Sequence, residues 1–270
     1  MTKKLSILFL LILLTRPISH TCTPPVIKTN PSLSCLNLQM DNYYALFYEK
    51  LGNDFPKPEY NVFKKALTGY FSLKAESKIR NNLLTIIDFS LSSNQKRMWI
   101  LDVPGIKITH HSLVSHGRNS GGEFARTFSN TLSSNQSSLG FYLTDRVYYG
   151  ENGFSLFLDG LEGGINDKSR KRTIVMHSAE YVSKDYIRRY GRLGRSLGCP
   201  AIPVKNHREI ITALSGGSCL FIYYPDPEYF EKTLMLSHEN ALAGVLAFLD
   251  EFPEHQNLIA GILFIKGIAS

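Results

Sequence analysis

No apolar run in this sequence approaches the roughly 20 residues that a bilayer-spanning helix needs. The two longest candidates, residues 5–14 and 257–268, fall well short. There is one tryptophan among 270 residues and there are four cysteines, with no internal repeat and no low-complexity tract. Neither a phosphate loop nor a dinucleotide fingerprint is present, and no His/Cys/Asp/Glu spacing resembles a zinc site. The sequence therefore gives no reason to expect a metal or an organic cofactor. Negative charge is also in short supply: 23 Asp+Glu face 30 Lys+Arg, a formal net charge of +7. That excess is spread too thinly to indicate a nucleic-acid surface. Its densest run, Lys168-Ser169-Arg170-Lys171-Arg172, reads as a solvated loop.

What is present is ordinary for a globular chain: 43% hydrophobic and 20% charged, with 20 Gly and 12 Pro. This excludes a disordered or collagen-like protein. Sixteen Phe and 14 Tyr favour β structure. Lys3 and Lys4, the apolar run Leu5 to Leu14 and the breaker Pro17 have the layout of a secretory signal peptide over residues 1–22. Export to the periplasm or cell envelope is the expectation. An uncleaved anchor or lipidation at Cys22 remains open as a route to the membrane, and Cys22 and Cys35 are close enough in sequence to pair. Cys219, within an apolar run, reads as a buried inert thiol.

Residues 23–81 read as a linker followed by helices over 41–51 and 58–67. From about Asn82 short apolar or alternating runs separated by turn residues predict an antiparallel sheet system (83–89, 98–103, 112–115, 140–143, 147–149, 154–158, 173–177 and 219–224). Helices open at Ser183 and at about Asn206, and a helical tail follows within 229–270. The expected fold class is α+β, mainly β, with the catalytic part at 82–228.

One stretch stands apart. Gly191-Arg192-Leu193-Gly194-Arg195-Ser196-Leu197-Gly198-Cys199-Pro200-Ala201 sets a cysteine among three glycines and a proline, a backbone bent to present one side chain. Arg192 and Arg195 bring positive charge that favours thiolate. The N–H groups of Gly198 and Cys199 are candidate oxyanion donors. His177, ending a strand 22 positions earlier, is the candidate base. Such a dyad requires the imidazole and the sulfur to lie within hydrogen-bonding reach at an accessible groove. The plain alternative is a strand-end histidine and an unrelated turn thiol.

The segment Met176-His177-Ser178-Ala179-Glu180-Tyr181-Val182-Ser183, together with residues 191–201, resembles the murein L,D-transpeptidase catalytic domain family, a branch of the YkuD-type L,D-transpeptidases. Val114 to Gly122, Ser129-Asn130, Gln136 to Tyr142 and Leu158 to Glu162 extend the resemblance in the same order over residues 82–224. It implies a sandwich-like β-rich catalytic fold acting on peptidoglycan stem peptides. In that scheme a cysteine releases D-alanine from a tetrapeptide stem, holds the stem as a thioester and passes it to a diaminopimelate amine, giving a 3→3 crosslink. Carried over residue by residue, Cys199 is the nucleophile and His177 the base. Gly198 and Ser196 belong to the oxyanion turn, and Ser178, Arg195 and His116 are further candidates for the substrate side. The chain departs from the broader pattern at Leu197, where a histidine is usual, and at Pro200-Ala201-Ile202, where an Arg or Asn is usual. Hydrolysis by a wall carboxypeptidase or cysteine amidase would use the same dyad, and a non-catalytic wall-binding module would retain only the fold.

Overall fold

A computed structural model describes residues 33–259. The expected signal peptide and Cys22 lie outside those residues. Helices α1 (Leu33–Lys50) and α2 (Tyr60–Ala75) precede three strands, β1 (Leu83–Asp88), β2 (Met98–Asp102) and β3 (Lys107–Ser112). The hairpin of β4 (Gly140–Gly150) and β5 (Gly153–Gly160) follows, then β6 (Val175–Ser178), α3 (Lys184–Tyr190) and the two-residue β7 (Ala201–Ile202). Helix α4 (His207–Leu214), β8 (Cys219–Tyr223), α5 (Pro227–Lys232) and α6 (His238–Glu251) follow, and a 3-10 segment, Pro253–Ile259, ends the described residues. The mainly-β, α+β class expected above is what is found.

The eight strands form one sheet in the order β3-β2-β1-β8-β4-β5-β6-β7. Most neighbours are antiparallel, but β1 pairs β8 and β6 pairs β7 in parallel. Past β3, Ser115 bridges Ala201 and Gly117 bridges Ser196, so the chain leaving one edge strand reaches the other edge and brings the sheet close to a barrel. That seam is where the segment around His116 meets the cysteine turn.

Apolar side chains explain the layers. β1 and β8 are buried along nearly their whole length, which is why both read as continuous apolar runs rather than alternating ones. Phe141 on β4 stacks on Phe221 of β8 at 4.2 Å between ring centroids. Helix α2 buries Phe63, Leu67, Tyr70 and Phe71 in the same apolar cluster as the sheet, and α6 adds Val245 and Phe248. The flanking helices thus cover the core, as their spacing suggested. Local signals hold too: Ser183 caps α3 through its hydroxyl on Tyr186 N–H, and Gly191 ends it in the left-handed region.

Three elements differ from expectation. The runs 140–143 and 147–149 are one strand, β4, broken in pattern by an irregularity between Thr144 and Val147. The third strand lies at 107–112 rather than 112–115, because His110 and His111 pair with Ile100 and Trp99 on β2 while Ser115 makes only the bridge across the seam. Helix α5 starts at Pro227, two residues before the expected helical tail at 229–270. Asp226 caps it and Pro227 takes the first turn.

Gly244 on α6 lies against α2 so closely that a Cβ there would sit 1.7 Å from the Phe71 carbonyl oxygen. Gly244→Ala should therefore lower stability by about 1–3 kcal/mol, measured by denaturant unfolding, because backbone rather than a flexible side chain must move.

Candidate active site

The cysteine turn is fixed from three directions. Ser196 N–H donates to the His116 carbonyl (3.0 Å), and Arg118 N–H donates to the Ser196 carbonyl (2.8 Å). The Ser196 hydroxyl closes the turn on itself, donating to the Cys199 carbonyl (2.6 Å) and accepting from Gly198 N–H (3.1 Å). Ser137 Oγ donates to the Gly198 carbonyl (3.0 Å). Gly198 has φ of 129°, and a Cβ there would lie 2.8 Å from the Gln136 carbonyl oxygen, so only glycine fits. One expected oxyanion donor is thereby committed: the Gly198 N–H already serves Ser196. The Cys199 N–H, beside its own sulfur, makes no other hydrogen bond among the described residues.

β6 and β7 bring the two candidate residues together. His177 stands opposite Ala201 in the parallel register, and Cys199 lies two positions back, beside Val175. His177 Nδ1 lies 3.0 Å from the Ser178 carbonyl. A carbonyl only accepts, so Nδ1 carries the hydrogen and Nε2 keeps its lone pair. Burial holds the imidazole below its ordinary pKa, which favours that neutral, basic form.

The sulfur itself is not where an open dyad would have it. Cys199 is 8% exposed. Sγ takes a contact from Val175 N–H (3.5 Å) and reaches the Thr173 carbonyl (3.6 Å), rather than the His177 ring. Burial pushes the thiol pKa up, while the Val175 N–H and the charge of Arg172 pull it down; burial wins. The resting group is therefore a thiol turned towards backbone. Thr173, whose carbonyl receives it, has φ of 53°, a costly conformation for a β-branched residue. Backbone constraint at Thr173 and Gly198 thus flanks the sulfur on both sides. A cavity of about 710 Å³ opens elsewhere on the seam, between His110, Ala179 and Pro203, and neither Cys199 nor His177 lines it.

Other predicted positions fare differently. His116 is 0% exposed and cannot touch a bound substrate directly, contrary to the cleft-lining expectation. Its Nδ1 lies 2.8 Å from Nη2 of the fully buried Arg97, and its ring meets Phe89 edge-on. Arg97 in turn donates to the Val114 and Leu91 carbonyls, so this pair pins the segment that braces Ser196. Ser196 is buried within the turn, and Ser178 contributes its carbonyl to His177. Arg195 Nη1 is spent on the carbonyls of Arg118 and Gly121, and Arg192 Nη1 on that of Leu193. The cation whose charge acts on Cys199 is instead Arg172. The basic run 168–172 is accordingly no solvated loop, for Arg170 pairs with Asp159 and Asp145, and Arg172 reaches under residues 129–138. No local signal marks it, because its acceptors lie more than 30 positions away in sequence. Tyr181 was also missed; its ring packs on Gly194, and burial with the neighbouring Cys199 pushes its hydroxyl up to about 12. Cys219 is fully buried, as expected. Leu197 is 60% exposed at the rim.

A near-closed sheet that sets a strand-end imidazole beside a glycine-turn cysteine is an arrangement suited to acyl transfer. The model for the L,D-transpeptidase catalytic domain matches residues 55–223, and the chain belongs to that family. Among solved structures, an L,D-transpeptidase from Mycobacterium smegmatis aligns with 11% identity over 53% of this chain and 59% of its own, at a TM-score of 0.33. One from Stackebrandtia nassauensis aligns with 9% identity over 70% and 92%, also at 0.33. The chain thus spans little more than half the length of the first of these. A comparison with curated proteins finds no match.

The Arg97–His116 pair has a pH signature. Burial and the adjacent guanidinium push His116 down to about 3. Between that value and the ordinary 6.5 the unfolded chain binds the extra proton, so stability falls as pH drops through this window. His116→Gln, which keeps an acceptor for Arg97, should flatten the slope of unfolding free energy between pH 6.5 and 4 by up to ~1.4 kcal/mol per pH unit. Denaturant titrations at several pH values check it.

Proposed function

We propose that this protein is a peptidoglycan L,D-transpeptidase that forms 3→3 crosslinks through a thioester on Cys199, with His177 as general base. The observation that carries the reading is the parallel β6–β7 pairing inside the family-matched segment. It sets His177, its Nδ1 hydrogen already engaged, opposite Ala201, two residues along the chain from the turn cysteine. The strained backbone at Thr173, whose carbonyl receives the sulfur, supports the same reading, since such strain concentrates at working sites.

The chemistry follows from the groups available. Rotation about the Cys199 Cα–Cβ bond takes Sγ off the Thr173 carbonyl and towards the imidazole. Nε2 accepts the thiol proton as sulfur attacks the carbonyl that joins the stem to its terminal D-alanine. The Cys199 N–H is the amide left to stabilise the oxyanion. The imidazolium then protonates the departing amine, and the stem remains as a thioester. A diaminopimelate amine of a second stem attacks, gives up its proton to His177, and expels the thiolate. The partners are stem peptides of the wall, and the basic-then-apolar N-terminal segment would carry the enzyme to the periplasm or envelope, where they lie.

With purified protein and disaccharide-tetrapeptide, product masses should show loss of D-alanine and 3→3 dimers. Cys199→Ala should abolish both while leaving the unfolding transition in place. Full activity in that variant would sink the assignment, and loss of D-alanine without dimers would mark a hydrolase.

A further inference from the structure

The run 168–172 divides into two kinds of cation. Arg170 is neutralised by two carboxylates, Asp145 and Asp159. Arg172 meets none: its guanidinium donates to the carbonyls of Ser129 (2.7 Å) and Gln136 and to the hydroxyls of Ser134 (3.2 Å) and Ser138. Every one of these acceptors is neutral, and no ion pair to Arg172 occurs among the described residues. Four hydrogen bonds hold the group still without cancelling its charge.

Its position follows from the same turn that presents the sulfur. Ser169 anchors the turn to β5, its hydroxyl bonding the Leu158 carbonyl and Gly160 N–H. Arg172 N–H closes on the Lys168 carbonyl, and Ile174 N–H on that of Ser169. The next residue, Thr173, supplies the carbonyl under Cys199 Sγ, and Val175 supplies the N–H. On the other side, Nη2 lies 3.3 Å from where a Gly198 Cβ would be. The Gln136 carbonyl it holds abuts Gly198, and Ser137 binds the Gly198 carbonyl. Arg172 is half-buried between the two backbone segments that enclose the sulfur.

We propose that Arg172 is the fixed counter-charge of the Cys199 thiolate, a positioning residue that offsets the burial of the sulfur and also braces residues 129–138 against the nucleophile turn. The role deepens the function proposed above and rests on it. An unpaired cation in a partly desolvated wall acts more strongly than one in water, and it favours the anion over the thiol. The mutual charge effect of the two groups is in keeping with this.

The test is the pH profile of Cys199 alkylation by iodoacetamide, followed by the mass of the digested peptide that carries Cys199, so that Cys22, Cys35 and Cys219 do not enter the readout. Loss of charge raises the midpoint without lowering the high-pH plateau, because a more basic thiolate is no weaker a nucleophile. Damage to packing or access alone lowers the plateau and leaves the midpoint in place. Arg172→Gln should raise the midpoint by about one pH unit, a roughly tenfold loss of thiolate at pH below it. Arg172→Lys should keep it near the parent value, and Arg195→Gln should leave it unmoved. A folded Arg172→Gln protein with an unchanged midpoint overturns the proposal. If that variant does not fold, Arg172→Lys decides: a midpoint raised by a full unit in the folded lysine variant overturns it, and an unmoved one upholds it. Failure of the wider reading looks different, since Cys199→Ala would then keep crosslinking while the midpoint still answered to Arg172.

Discussion

The structure turns on how the Ser196–Cys199 bend is held. Its backbone has little freedom left: Ser196 ties it internally, the His116 segment ties its entrance and Ser137 ties the Gly198 carbonyl. None of these partners is close in sequence to the cysteine except Ser196. The bend is therefore a product of closure of the sheet, because only when the chain beyond β3 crosses the seam does the His116 segment arrive beside it. The buried Arg97 makes sense in this light. Its desolvation is costly, and four hydrogen bonds to carbonyls and to His116 offset that cost by fixing the segment that fixes the bend.

The second theme is a balance of opposing electrostatic effects at one sulfur. Packing removes it from water and favours the neutral thiol, whereas an N–H and a nearby guanidinium favour the anion. In the resting arrangement the first effect prevails. In the proposed function, work begins when the side chain leaves its backbone partners for the imidazole. A neutral histidine with one nitrogen already occupied is suited to receive the proton.

Much of this was legible in the residues. The strand pattern came through where both faces are buried or cleanly alternating, as in β1, β2, β5 and β8, and the glycine-bounded Cys199 stood out because bends need special backbone. What failed did so for tertiary reasons. Leu113 to Ser115 continues the strand composition past β3, but the partner of Ser115 sits across the seam, so it forms a single bridge. His116 was a candidate for the substrate side; only the fold reveals a buried arginine to receive it. The cations nearest Cys199 in sequence proved to be tethered to backbone carbonyls, while the effective one came from 27 positions upstream, across β6 and α3. Charge runs reveal composition, not which member finds an acid.

The placement of the sulfur has one more consequence. A thiol facing carbonyl and amide, with hydrocarbon over it, is a poor target for peroxide, dissolved oxygen or another protein's disulfide. In the proposed function, chemistry at that atom is gated by whatever draws the side chain outward, so an idle molecule would keep the thiol in reserve and a docked one would spend it.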